Sequence, residues 1–137
     1  MKEFIIRSAE EMKVFAGDIA SRAEPGDVYC LAGNLGAGKT TFAQGFISSL
    51  QDTKEPVTSP TFNLVQIYKT ARFPVYHCDF YRLKSENEFM NLGLEDAFDS
   101  AVTLIEWPEM IGGFLPEGSK YIKIEMLQDG TRKVTIN

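Results

Sequence analysis

The run Gly33–Thr40, GNLGAGKT, limits the fold of this chain more than any other stretch. It satisfies the pattern G-x-x-x-x-G-K-[ST]. Before it lies an apolar run, VYCLA at Val28–Ala32. After it comes KTTFAQGFISSL, where Phe42, Phe46, Ile47 and Leu50 recur on one helical face. Strand, glycine-rich loop and helix in that order make a cradle for phosphate. Gly33, Gly36 and Gly38 let the backbone bend until several N–H groups face one anion. The helix that opens near Lys39 adds the positive end of its dipole. Lys39 is then expected to reach the β- and γ-phosphates, and the Thr40 hydroxyl to ligate Mg²⁺.

The rest of the chain supplies an α/β frame for such a loop. EFII (Glu3–Ile6) reads as a strand, and Ser8-x-x-Glu11 as a capping box for a helix carrying Met12, Phe15, Ile19 and Ala23. Residues 51–60, QDTKEPVTSP, read as a connection. TFNLVQIYK and FPVYHCD follow as a hairpin joined by TAR. Ser85-x-x-Glu88 opens a helical region to about Asp99, AVTLIE is a short buried strand, and KYIKIEML with RKVTIN forms a second hairpin across QDGT. The 137 residues, 44% of them hydrophobic and 24% charged, suit one domain spanning 1–137. The expected fold class is α/β: a single P-loop NTPase domain with a mixed, largely central sheet flanked by helices.

A bound magnesium needs a carboxylate at a strand end, and two are on offer: Asp79 after VYHC and Glu106 after VTLI. Which acid touches the metal and which orients water stays open on this reading. His77 lies two positions before Asp79, hence on the same strand face, where a structural hydrogen bond is the simpler role. Trp107 either packs on the nucleotide or fills the core. Glu86, Glu88, Glu95, Asp96 and Asp99 read as a solvated helix face, with partner docking as the sharper alternative.

Composition narrows the function. A net charge of −5 disfavours tight direct binding of nucleic acid, which calls for a basic face. Cys30 and Cys78 sit in apolar runs and read as buried free thiols. No apolar run approaches a membrane span, and no secretory or transit segment is evident, so a cytoplasmic location is expected. A guanine-reading N/T-K-x-D loop is missing; the nearest string, TKEP at Thr53–Pro56, lacks the aspartate. A small-molecule kinase is the alternative, but only Arg72, Arg82 and Arg132 follow the loop, and no acceptor-binding insert stands out. A minimal ATPase remains, with a nucleotide-gated binding module as a third class.

Four stretches, GNLGAGKTTFAQGF, VTSPTFNLVQIY, HCDFYRL and LIEWPE, stand in the order and spacing of the bacterial TsaE (YjeE) family, and the chain resembles that family over nearly its whole length. The resemblance implies a small ATPase needed for threonylcarbamoyl modification of adenosine 37 in tRNAs reading codons that begin with A. It also implies two partners, TsaB and TsaD, with the transferase chemistry in TsaD. By the same resemblance Gly36, Ala37, Gly38, Lys39, Thr40 and Thr41 hold the phosphates, and Thr40 and Glu106 bind the magnesium. Asp79 is the catalytic acid, and Ser59-Pro60-Thr61 is a switch-like loop near the γ-phosphate, with Thr61 in a catalytic role. Trp107 stands beside the nucleotide, and Ser8 and Arg132 contact it from the chain ends. Asn34 departs from the acidic residue common after the first glycine of the loop, a position that contributes mainly backbone.

Overall fold

A computed structural model of the chain describes residues 1–52, 55–60 and 63–137. Its strands are β1 (Lys2–Ile6), β2 (Val28–Ala32), β3 (Val65–Tyr68), β4 (Val75–Asp79), β5 (Val102–Glu106), β6 (Lys120–Met126) and β7 (Arg132–Ile136). They form one sheet in the order β1-β7-β6-β2-β5-β4-β3. Its α-helices are α1 (Ala9–Ser21), α2 (Lys39–Leu50), α3 (Glu86–Asn91) and α4 (Glu95–Ser100), and two short 3-10 turns follow β5. Strand β2 pairs in parallel with β5 and β6, and β5 with β4. The pairs β1–β7, β6–β7 and β3–β4 are antiparallel. The sheet is mixed, as expected, with a parallel centre and a hairpin toward each flank.

Both faces of that centre are covered, which is why VYCLA and VTLIE are apolar almost without interruption. The two-residue period of the strands sorts their side chains between two clusters. Tyr29, Leu31, Val75, Val102 and Leu104 pack with Met12, Ala16, Phe42 and Phe46 from α1 and α2. Val28, Cys30, Cys78 and Ile105 pack on the other face with Phe80, Phe89 and Leu94. Both cysteines are buried free thiols, and burial pushes the Cys30 thiol up to about 11, so it stays protonated at neutral pH.

Three local expectations change in the folded chain. Ser8 and Ser85 do cap their helices, accepting the N–H of Glu11 at 3.0 Å and of Glu88 at 3.2 Å. Each glutamate, however, accepts from the residue before the cap, Arg7 at 3.3 Å and Lys84 at 2.9 Å, and not from the cap itself. The helical region after Ser85 breaks into α3 and α4 because Gly93 takes a φ of +66°, which interrupts a right-handed helix. The β3–β4 turn is longer than TAR and is organised by the Thr70 hydroxyl, which accepts the N–H groups of Arg72 and Phe73. That turn aims the Arg72 guanidinium at the end of α1, where it donates to the carbonyls of Ala20, Ser21 and Ala23 at 3.3, 3.1 and 2.9 Å.

Helices α1 and α2 cross so closely that a Cβ on Gly45 would overlap the Lys13 backbone. Gly45→Ala is therefore expected to lower the unfolding free energy by about 1–3 kcal/mol in urea titrations, since backbone atoms cannot rotate out of the way. A change of only a few tenths would show that the helices separate freely.

Candidate nucleotide site

The parallel register brings three strand ends together. Glu106 pairs with Leu31 of β2 and with Asp79 of β4, so both acids and the start of the glycine loop share the carboxyl edge of the sheet. A cavity of about 500 Å³ opens there, lined by Gly36, Gly38, Lys39, Thr40, Asp79 and Glu106 among others. Ser59 and Pro60 contribute from the segment 55–60, and Leu35, Thr41, Tyr81, Arg82 and Trp107 complete the wall.

Lys39 is only 4% exposed. Its Nζ donates to the Gly33 carbonyl at 2.7 Å and lies 3.6 Å from the centroid of the Trp107 ring. Burial lowers its pKa, and the carboxylates of Glu106, Asp79 and Glu109 act in the opposite direction. Trp107 directly follows Glu106 with φ 61° and ψ 52°, a left-handed conformation that bulky residues rarely adopt. The ring also packs on Tyr81 at 4.8 Å between centroids. Trp107 thus lines the cavity and covers the lysine.

Glu106, 3% exposed, ends a strand whose every residue is buried. Its Oε2 accepts from His77 Nε2 at 2.7 Å and from the Ser59 hydroxyl at 3.2 Å. Because Ser59 gives its proton to that carboxylate, the 2.5 Å contact between Thr40 Oγ1 and Ser59 Oγ has Thr40 as donor. One serine hydroxyl therefore joins the two candidate metal ligands. A hydroxyl and a single carboxylate are hard oxygen donors in the small number that Mg²⁺ takes from a protein beside substrate phosphates, so this pair fits that ion. No cluster of three or more His, Cys, Asp or Glu suited to a metal occurs among the described residues.

Asp79 accepts the Tyr81 N–H on Oδ1 at 3.1 Å. Burial raises its pKa, while that N–H pulls the other way. Ser8 and Arg132 lie apart from the two acids, in a smaller cavity of about 120 Å³ whose wall includes Gly38 and Thr41 of the loop. There the Arg132 Nε donates to the Ala37 carbonyl at 2.7 Å and a terminal nitrogen to Gly130 at 2.7 Å, bracing the loop from behind. Ala37 itself is buried and lines a separate cavity with Gly33 and Asn34. Thr61 lies outside the described residues. Tyr81 and Arg82 had no role assigned from sequence; their signal was position, since residues just past an acid-terminated central strand fall at the ligand-binding edge. Of the five acids read as a solvated face, Glu86, Glu95, Asp96 and Asp99 are exposed on α3 and α4, while Glu88 is half-buried with its carboxylate on the Lys84 N–H.

A central parallel sheet, a glycine loop opening a helix, and acids at the ends of two neighbouring strands define an α/β P-loop protein. Residues 6–134 match the family model described as "Threonylcarbamoyl adenosine biosynthesis protein TsaE". The chain belongs to the TsaE family. Proteins named "tRNA threonylcarbamoyladenosine biosynthesis protein TsaE" are similar to it in several bacteria. The Rickettsia bellii protein is 43% identical over 96% of this chain and 92% of its own length. The Bacillus subtilis protein is 42% identical over 92% and 78%, and that of Treponema pallidum 36% over 96% and 97%. The crystal structure of Bacillus YdiB superimposes with a TM-score of 0.84 at 34% identity, covering 98% of this chain and 83% of that one.

Proposed function

We propose that this chain is a Mg-dependent ATPase that serves tRNA N6-threonylcarbamoyladenosine synthesis, its hydrolysis supporting turnover of a TsaB–TsaD transferase. Family membership supports the pathway. The observation that carries the chemistry is the Thr40–Ser59–Glu106 linkage beside a buried Lys39, with Asp79 one strand away in the same cavity.

Each residue has a distinct task on this reading. The loop N–H groups and Lys39 hold the triphosphate, with Lys39 leaving the Gly33 carbonyl for the phosphate oxygens. Thr40 and Glu106, linked through the Ser59 hydroxyl, would hold Mg²⁺. That ion, when bound, neutralises charge on the β- and γ-phosphates. Asp79 keeps Oδ1 on the Tyr81 N–H and takes the water proton on Oδ2, and its raised pKa suits it to that transfer. Trp107 and Tyr81 shield the reacting phosphate from bulk solvent. The smaller cavity beside Ser8 and Arg132 lies across Gly38 and Thr41 from the phosphate site, where a base and ribose would extend.

The arginines favour hydrolysis over transfer to a small acceptor. Arg72 and Arg132 are engaged on backbone carbonyls, and of the three Arg82 lines the cavity that holds the two acids. Incubation with Mg-ATP is expected to yield ADP and free phosphate, slowly in the absence of partners. A phosphorylated metabolite in place of free phosphate would shift the assignment to a kinase.

A further inference from the structure

Two opposite charges share the cavity wall without pairing. Lys39 and Glu106 are both almost fully buried, and Glu106 is foremost among the carboxylates that favour the charged lysine. At the wall of a partly buried cavity an ammonium and a carboxylate attract more strongly than in open water, and they close on each other unless each has a better-placed partner. Among the described residues Lys39 forms no ion pair, and the partner of Glu106 is His77.

His77 is completely buried on β4, fixed by the ladder that pairs it with Gln66 and Leu104. Its Nδ1 has no hydrogen-bond partner among the described residues. A buried ring nitrogen without a partner is unfavourable, so an apolar residue would serve packing better there. What the imidazole adds is one N–H, at Nε2, and that N–H is placed on Glu106 Oε2. Ser59, the other donor to that oxygen, is partly exposed and belongs to the loop before β3, whereas His77 is held within the sheet ladder. Among the described residues His77 is the one donor to this carboxylate that is fully buried and fixed in the sheet.

We infer that His77 is a positioning residue that clamps Glu106 away from Lys39, keeping the ammonium available to phosphate and Glu106 Oε1 available to a metal. This rests on the nucleotide reading of the site given above. Without the clamp, Glu106 swings onto Lys39 and the cradle closes on its own ion pair.

Calorimetric titration with ADP, once in EDTA and once with Mg²⁺, tests the clamp at fixed pH. His77→Leu is expected to weaken ADP about tenfold in EDTA, because Lys39 is captured. It is also expected to weaken Mg²⁺ binding to the ADP complex about 10–100-fold. His77→Gln, which keeps an N–H donor near Nε2, restores both. Adding Glu106→Gln to His77→Leu removes the capturing charge, so metal-free ADP affinity returns while Mg²⁺ affinity stays low. A role in packing alone does not produce that recovery. If His77→Leu fails to melt cooperatively, His77→Asn replaces it with the same expectation, since its amide falls short of Nε2. Native ADP affinity in the variant, or no recovery in the double variant, overturns the clamp. Failure of the native chain to bind ADP overturns the nucleotide reading and the clamp together.

Discussion

Lys39→Ala is expected to cut ATP turnover about a hundred- to a thousandfold, on the scale of removing one preorganised donor that stabilises developing charge. The ammonium sits within the glycine loop, 2.7 Å from the Gly33 carbonyl, and burial already works against its charge. On the proposed reading triphosphate binding relieves that penalty, so most of the lysine's worth is realised only with substrate present. For the same reason the variant should keep its fold: it loses a desolvated charge whose ordinary form is disfavoured in the folded chain. Phosphate release and thermal melts on one preparation check both halves. Turnover within tenfold of the native rate would mean that the loop amides alone carry the phosphates.

Asp79→Asn is expected to lower turnover about 10²–10⁴-fold while leaving Mg-ATP affinity near native. Asparagine keeps an oxygen for the Tyr81 N–H, so the loop after β4 should hold its shape. What disappears, on the proposed mechanism, is the group that takes the water proton. Stability should move the other way. Because burial raises the folded pKa of Asp79 above its unfolded value, the ionised carboxylate destabilises the fold at pH 7. The asparagine variant should therefore melt higher than the native chain at pH 7. That gap should close as the pH falls through the raised pKa toward the unfolded carboxylate's value of about 3.9. Native turnover should also decline at low pH, since only the ionised acid accepts a proton. Opposite pH responses of rate and stability at one residue mark a site where function is kept at a cost in stability.

Local physics made much of this molecule readable in advance. VYCLA and VTLIE announce buried parallel strands because both faces need apolar side chains. Ser8 and Ser85 declare their helix starts through their own hydroxyls. Asp79 and Glu106 could be nominated because an acid closing an apolar strand falls at the ligand edge of an α/β sheet. What stayed hidden depends on chain segments that meet only in the fold. Ser59 reaches Thr40 across 19 positions and Glu106 across 47. Arg72, eligible by type for a phosphate lid, instead closes the end of a helix about 50 residues away. Arg132 braces the glycine loop from 95 positions downstream. Gly45 looks like a weak helix residue until the Lys13 backbone is placed against it. No periodicity encodes such meetings, because they follow from sheet order and helix crossing.

Whether this cavity turns over ATP in the service of threonylcarbamoyl-tRNA synthesis is decided by multiple-turnover phosphate release from Mg-ATP, measured with the chain alone and then with TsaB and TsaD added. The expected result is slow release alone and a clear rise when both partners are present, with the rise lost in Asp79→Asn. An unchanged rate with both partners, or an equal rise in Asp79→Asn, would contradict it.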